Sequence, residues 1–238
     1  MLFSASLLVQ SCTAEAVCSG EAEKADRIRD RIQNELPLRA SDPVVEYVRD
    51  LGRRLAERAG VDGSARWRFQ VVRDRSVNAF SIGDGRIYVT EGAILAASSE
   101  AELAGVIAHE MGHQLAGHFC PGSRAQSAWD DYSDGKEGRQ RGKESTSPGV
   151  GSLRQGMDPA KEREADEYAT RVLMDAGFDL GVRSDVMTRS RAEGPQARRY
   201  DTHQPPSYSS SGDQPRARPA PGGQSALERA KQVLRREL

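Results

Sequence analysis

The sequence predicts an α+β fold, a mainly helical domain with a small antiparallel sheet. Three observations carry that prediction. Apolar residues recur at helical spacing in segments at both ends of the chain. They alternate with polar residues only in a central stretch, residues 66–90. That stretch contains Gly83-Asp84-Gly85, a hairpin-turn signal between two short apolar runs.

Each element follows from its residues. Residues 21–36 are charged, with Ile28, Ile32 and Leu36 on one helical face, and Pro37 ends the helix. Asp42-Pro43 is an N-cap followed by proline at the first helical position. Val44, Val48, Leu51 and Leu55 then form a stripe that Gly60 terminates. Trp67, Phe69 and Val71 mark a half-buried strand over 66–73, and two more strands are expected at 78–82 and 86–90. Ser99 opens a helix to about Gly117, with Glu102 completing a capping box. Residues 121–157 are polar and aperiodic, a lid or a disordered loop. Asp158-Pro159 caps a helix that ends near Gly177, and a weaker one is expected over 182–191. Residues 201–224 are rich in Pro, Ser and Gly, and a short amphipathic helix closes the chain over 226–238. The expected organisation is a tether over 1–20, a main domain over 21–200 and a tail over 201–238.

Composition excludes two classes. Lys+Arg 34 against Asp+Glu 35 leaves a net charge of −1, so the chain lacks the basic excess of an electrostatic nucleic-acid binder. No apolar run approaches the ~20 residues of a membrane-spanning helix, which excludes a polytopic membrane protein. Residues 2–9 are apolar and lead into Gln10-Ser11-Cys12, which resembles the lipobox of a bacterial lipoprotein. The resemblance implies lipidation of Cys12 and attachment to a membrane surface; the alternative is a frayed terminus with a chance cysteine. With Cys12 lipidated, Cys18 and Cys120 remain, and an envelope compartment would allow them to pair. Two unrelated thiols are the other reading.

His109-Glu110-Met111-Gly112-His113 is H-E-x-x-H inside a predicted helix. At 100° per residue the two histidines differ by only about 40°, so both project from one face as two ligands of one ion must. Zinc accepts imidazole and carboxylate and, in a catalytic site, keeps a position for water. Glu110 would serve as general base toward that water. His118 lies nine residues after His109, on the other side of an extended helix, and is assigned to the helix-end dipole. The third ligand must come from elsewhere. In the run 161–167, Glu162, Ala165, Asp166, Ala169, Val172 and Leu173 form one stripe, while Glu164 and Glu167 fall outside it. Glu162 is therefore the candidate third ligand. Asp166 is the candidate acceptor that fixes a ligand histidine's tautomer.

H-E-M-G-H followed by E-R-E-A-D resembles metallopeptidase family forty-eight, the gluzincin zinc endopeptidases that include HtpX and BepA-like envelope proteases. Ser76–Phe80, Gly85–Thr90 and Ser99–Val106 extend the resemblance over roughly residues 40–180. It implies a zincin-like fold and one zinc on His109, His113 and Glu162, with Glu110 as base. Thr202-His203, with Pro205 after an inserted Gln204, is similar to a downstream motif of that family. His203 is thus a candidate transition-state stabiliser or gate; the alternative is a histidine in a disordered tail.

The function so implied is hydrolysis of peptide bonds in unfolded or extended polypeptides, namely misfolded or misassembled proteins of the bacterial envelope or periplasm. The alternative is a zinc-containing lipoprotein acting as chaperone or adaptor.

Overall fold

A computed structural model describes residues 18, 20–61, 66–120, 159–178 and 222–237. Cys12, the 121–157 segment, Asp158, the expected helix over 182–191 and His203 lie outside the described residues. The elements run α1 (Glu21–Glu35), α2 (Pro43–Arg58), β1 (Arg68–Val72), β2 (Ala79–Ser81), β3 (Arg86–Thr90), α3 (Glu91–Ala96), α4 (Glu100–Leu115), α5 (Pro159–Asp175) and α6 (Gly223–Arg236). The α+β class stands.

The sheet differs from expectation. Its order is β1-β3-β2, with β2 antiparallel to β3 but β1 parallel to it, so it is mixed rather than antiparallel. The reason is burial. Every residue of β3 is buried, whereas β1 begins with an exposed residue. The fully buried strand takes the centre, and the hairpin inserts it between its two predecessors. Residues 37–39 cover the outer side of β1, where the Arg39 amide donates to the Val71 carbonyl (2.8 Å). The hairpin turn runs through left-handed backbone at Gly83, Asp84 and Gly85 (φ 88°, 47° and 73°), which two glycines and an aspartate tolerate.

Side-chain alternation makes the sheet the middle of three layers. Phe69, Val71, Ala79, Ile87 and Val89 face the main core, with the α2 stripe and Leu103, Ile107 and Met111 of α4. Val72, Phe80 and Tyr88 face the other way, onto Ile28 and Ile32 of α1. Each buried Leu or Ile contributes roughly 1.5–3 kcal/mol. At Gly52 a Cβ would overlap the Phe69 ring, so the glycine lets α2 lie flat on β1.

The helix starts follow their caps. Asp42 Oδ1 accepts from the Val44 and Val45 amides (2.9 and 3.0 Å). Ser99 Oγ accepts from the Glu102 amide (3.2 Å), but the Glu102 carboxylate reaches back to the Ser98 amide (2.6 Å), one residue earlier than a capping box expects. Helix α3 was not expected from the sequence; Thr90, which ends β3, caps it through Oγ1 on the Ala93 amide (3.1 Å).

The terminal helix is a core element rather than an appendage. Leu227, Ala230 and Leu234 of α6 join the main core. Its first turn rests on Glu100, whose carboxylate would overlap a Cβ at Gly223. Cys18 and Cys120 are joined as a disulfide (Cα–Cα 5.5 Å), tying the start of α1 to the segment after α4. Among the described residues, no helix is long and apolar enough to cross a membrane.

Candidate metal centre

Helices α4 and α5 build the centre. Small residues at their contact, Gly112 on α4 and Ala165 on α5, bring the two backbones together. On α4, His109 and His113 project one turn apart, and their Nε2 atoms lie 3.1 Å from each other. From α5, Glu162 places one carboxylate oxygen 3.4 Å from His109 Nε2 and the other 3.7 Å from His113 Nε2. Asp166 Oδ1 lies 2.8 Å from His109 Nδ1. Glu110 follows His109 on α4 and is buried.

The donor set fits a divalent cation. Donors about 2.0–2.2 Å from a common tetrahedral ion lie roughly 3.3–3.6 Å apart. The separations here, 3.1 to 3.7 Å, bracket that span. The protonation pattern agrees. With Asp166 accepting the His109 Nδ1 proton, His109 Nε2 presents a lone pair toward His113 and Glu162. Converging lone pairs beside a carboxylate require positive charge between them. His109 expresses the same demand as a proton affinity. Burial disfavours its charged form, yet the hydrogen bonds with Asp166 and Glu162 and the charge of Glu110 outweigh burial and push its pKa up to about 10.

Comparison with known proteins agrees with this geometry. Residues 44–126, which include His109, Glu110 and His113, match peptidase family M48. Over 188 residues, 74% of this chain, the sequence is 29% identical to the "Putative beta-barrel assembly-enhancing protease" of Vibrio cholerae serotype O1; the alignment covers 38% of that protein. Over 76 residues, 32% of this chain, it is 36% identical to the mitochondrial metalloendopeptidase OMA1 of Schizosaccharomyces pombe, covering 22% of that protein. The chain thus spans well under half the length of either relative.

The structure brings together His109, Glu110, His113, Glu162 and Asp166, the last two from a helix beyond the matched stretch. His203 and Cys12 lie outside the described residues. One assignment is corrected. His118 is not a cation serving the helix-end dipole; it is buried beneath His113, with Nδ1 2.9 Å from His113 Nδ1. The helical wheel fails there because the helix stops at Leu115. Gly117 turns the backbone left-handed (φ 70°), and the His118 amide returns to the His113 carbonyl (3.0 Å). The signal was present as a glycine just past the helix end. Burial holds the His118 pKa below the ordinary histidine value, despite its contact with Glu164. Gln114 is a second residue the pattern did not single out. Its Oε1 accepts from the Gly85 amide (2.5 Å) and its Nε2 donates to Ser81 Oγ (2.6 Å), fastening the hairpin to α4.

Proposed function

We propose that this chain is a zinc-dependent metalloendopeptidase that cleaves unfolded or extended polypeptides in a bacterial envelope. The observation that carries the reading is the convergence of His109, His113 and Glu162 with Glu110 beside them. Two imidazoles and one carboxylate are the donors of a catalytic zinc site, which leaves a coordination position for water. Bound zinc would supply an acidified water and a polarised scissile carbonyl.

The protein's own groups have separate tasks. His109, His113 and Glu162 would hold the ion, and Asp166 keeps His109 in the tautomer that binds through Nε2. Glu110 would accept the proton of the attacking water and deliver it to the leaving amine. Strand β2 is a sheet edge packed beside α4 and fastened there by Gln114. An extended substrate strand would pair with that edge, which favours unfolded segments over particular side chains.

The envelope location is supported by the similarity to the Vibrio protein, whose name concerns β-barrel assembly. The Cys18–Cys120 pairing also belongs to an oxidising compartment. Cys12 would be the point of lipid attachment, and misassembled envelope proteins the substrates.

The test is casein cleavage by zinc-loaded wild type beside Glu110→Gln, with metal content measured in both. Equal zinc at one per chain and cleavage by the wild type alone supports the reading. Cleavage surviving the substitution overturns the assignment of Glu110. Equal zinc with no cleavage by either favours a chaperone or adaptor.

A further inference from the structure

The two ligand histidines are anchored differently. His109 meets a carboxylate directly, at Asp166. His113 meets another imidazole, that of His118, whose Nε2 lies 3.2 Å from Glu164 Oε2. Both routes end on α5, on carboxylates two residues apart. His113 and His118 are buried, while Glu164 is about half exposed.

Only one proton arrangement satisfies every contact in this second route while leaving His113 Nε2 unprotonated for coordination. His113 Nε2 faces His109 Nε2 and Glu162, so its single proton sits on Nδ1. That proton is donated to His118 Nδ1, which must therefore be the acceptor. The His118 proton then sits on Nε2 and is donated to Glu164. We propose that His118 is a positioning residue that fixes the tautomer and ring orientation of His113 for metal binding, with Glu164 orienting His118 in turn. This rests on the reading of His109, His113 and Glu162 as a zinc site.

The chain brings His118 into place through the left-handed turn at Gly117, so the device is part of how α4 ends. It gives each imidazole ligand its own tie to α5. A shift of that helix would then disturb both imidazoles together with the Glu162 carboxylate.

The experiment measures zinc affinity by competition with a chromophoric chelator, and the visible spectrum of the cobalt-substituted protein. The variants are His118→Phe, His118→Asn and Glu164→Gln, with circular dichroism and thermal melting as folding controls. His118→Phe fills the space without an acceptor and should weaken zinc binding by about 10- to 100-fold and alter the cobalt spectrum. His118→Asn keeps an acceptor near the Nδ1 position and should recover most of that loss. Glu164→Gln, at an exposed site, should weaken binding by about two- to fivefold. Wild-type affinity and spectrum in a folded His118→Phe, or equal loss in Phe and Asn variants, overturns the proposal. If His118→Phe does not fold, unchanged affinity in both His118→Asn and Glu164→Gln overturns it. A wild type that binds no zinc removes the metal-site reading as well; a wild type that binds zinc beside indifferent variants removes this inference alone.

Discussion

Gly112 and Ala165 meet backbone against backbone, so closely that a Cβ on Gly112 would overlap the Ala165 carbonyl oxygen. This contact sets the distance between α4 and α5, and so between the two histidines and Glu162. Gly112→Ala should push the helices apart. Alanine favours a helix over glycine by up to about 1 kcal/mol. The overlap should outweigh that gain, for a net loss of about 1–3 kcal/mol, with metal binding lost as well. Urea unfolding and metal content of the purified variant check both. A more stable variant that still binds metal would contradict the contact.

Asp166 Oδ1 lies 2.8 Å from His109 Nδ1, on the buried face of α5. Asp166→Ala should leave the fold intact and weaken zinc binding by about 10- to 100-fold, through loss of ring orientation. Chelator competition measures it; unchanged affinity would mean the carboxylate only packs.

Arg39 fastens the end of the chain to its beginning. Its buried guanidinium donates to Glu91 (2.7 Å), to both carboxylate oxygens of Glu237 (2.7 and 2.8 Å) and to Asp42 (2.5 Å). Arg39→Met would leave Glu91 buried without this cation, at a cost of about 3–5 kcal/mol. Chemical denaturation gives the loss. Early proteolysis within α6 would show where it acts.

Acid should loosen the same clamp. The hydrogen bond from Arg39 holds the Glu237 carboxyl below its ordinary value. A folded pKa below the unfolded one contributes stability above the unfolded value of 4.5, and that stability is lost as pH falls through the folded value. Glu21 has the opposite sign. Burial is the largest influence on it and raises its pKa, so its contribution is full below 4.5 and lost as pH rises through the raised value. Unfolding midpoints at pH 7, 5 and 3 should therefore fall less steeply toward acid in Glu237→Gln than in wild type. They should fall more steeply in Glu21→Gln.

The Cys18–Cys120 bridge closes a loop of 102 residues. Chain entropy assigns such a loop up to about 4–5 kcal/mol, and typical losses run about 2–5 kcal/mol. Cys18→Ser with Cys120→Ser should lower the thermal midpoint, as should a reductant with the wild type. Metal binding should survive, because neither cysteine belongs to the His109–His113–Glu162 cluster. Unchanged melting under reductant would contradict the bridge's role.

The sequence alone determined what depends on local periodicity. The H-E-x-x-H pair shares a face because 3.6 residues make a turn, and Glu162 and Asp166 share theirs for the same reason. The caps at Asp42 and Ser99 were legible because a cap is a contact within four residues. The parallel pairing of β1, the place of α6 in the core and the return of His118 under His113 were not. The first two depend on which surfaces cover which. The third depends on a reversal of φ at Gly117, past which a helical wheel no longer holds. Periodicity says which residues share a face of one element, whereas packing between elements chooses their partners. The same packing therefore decided that the second ligand histidine leans on a third.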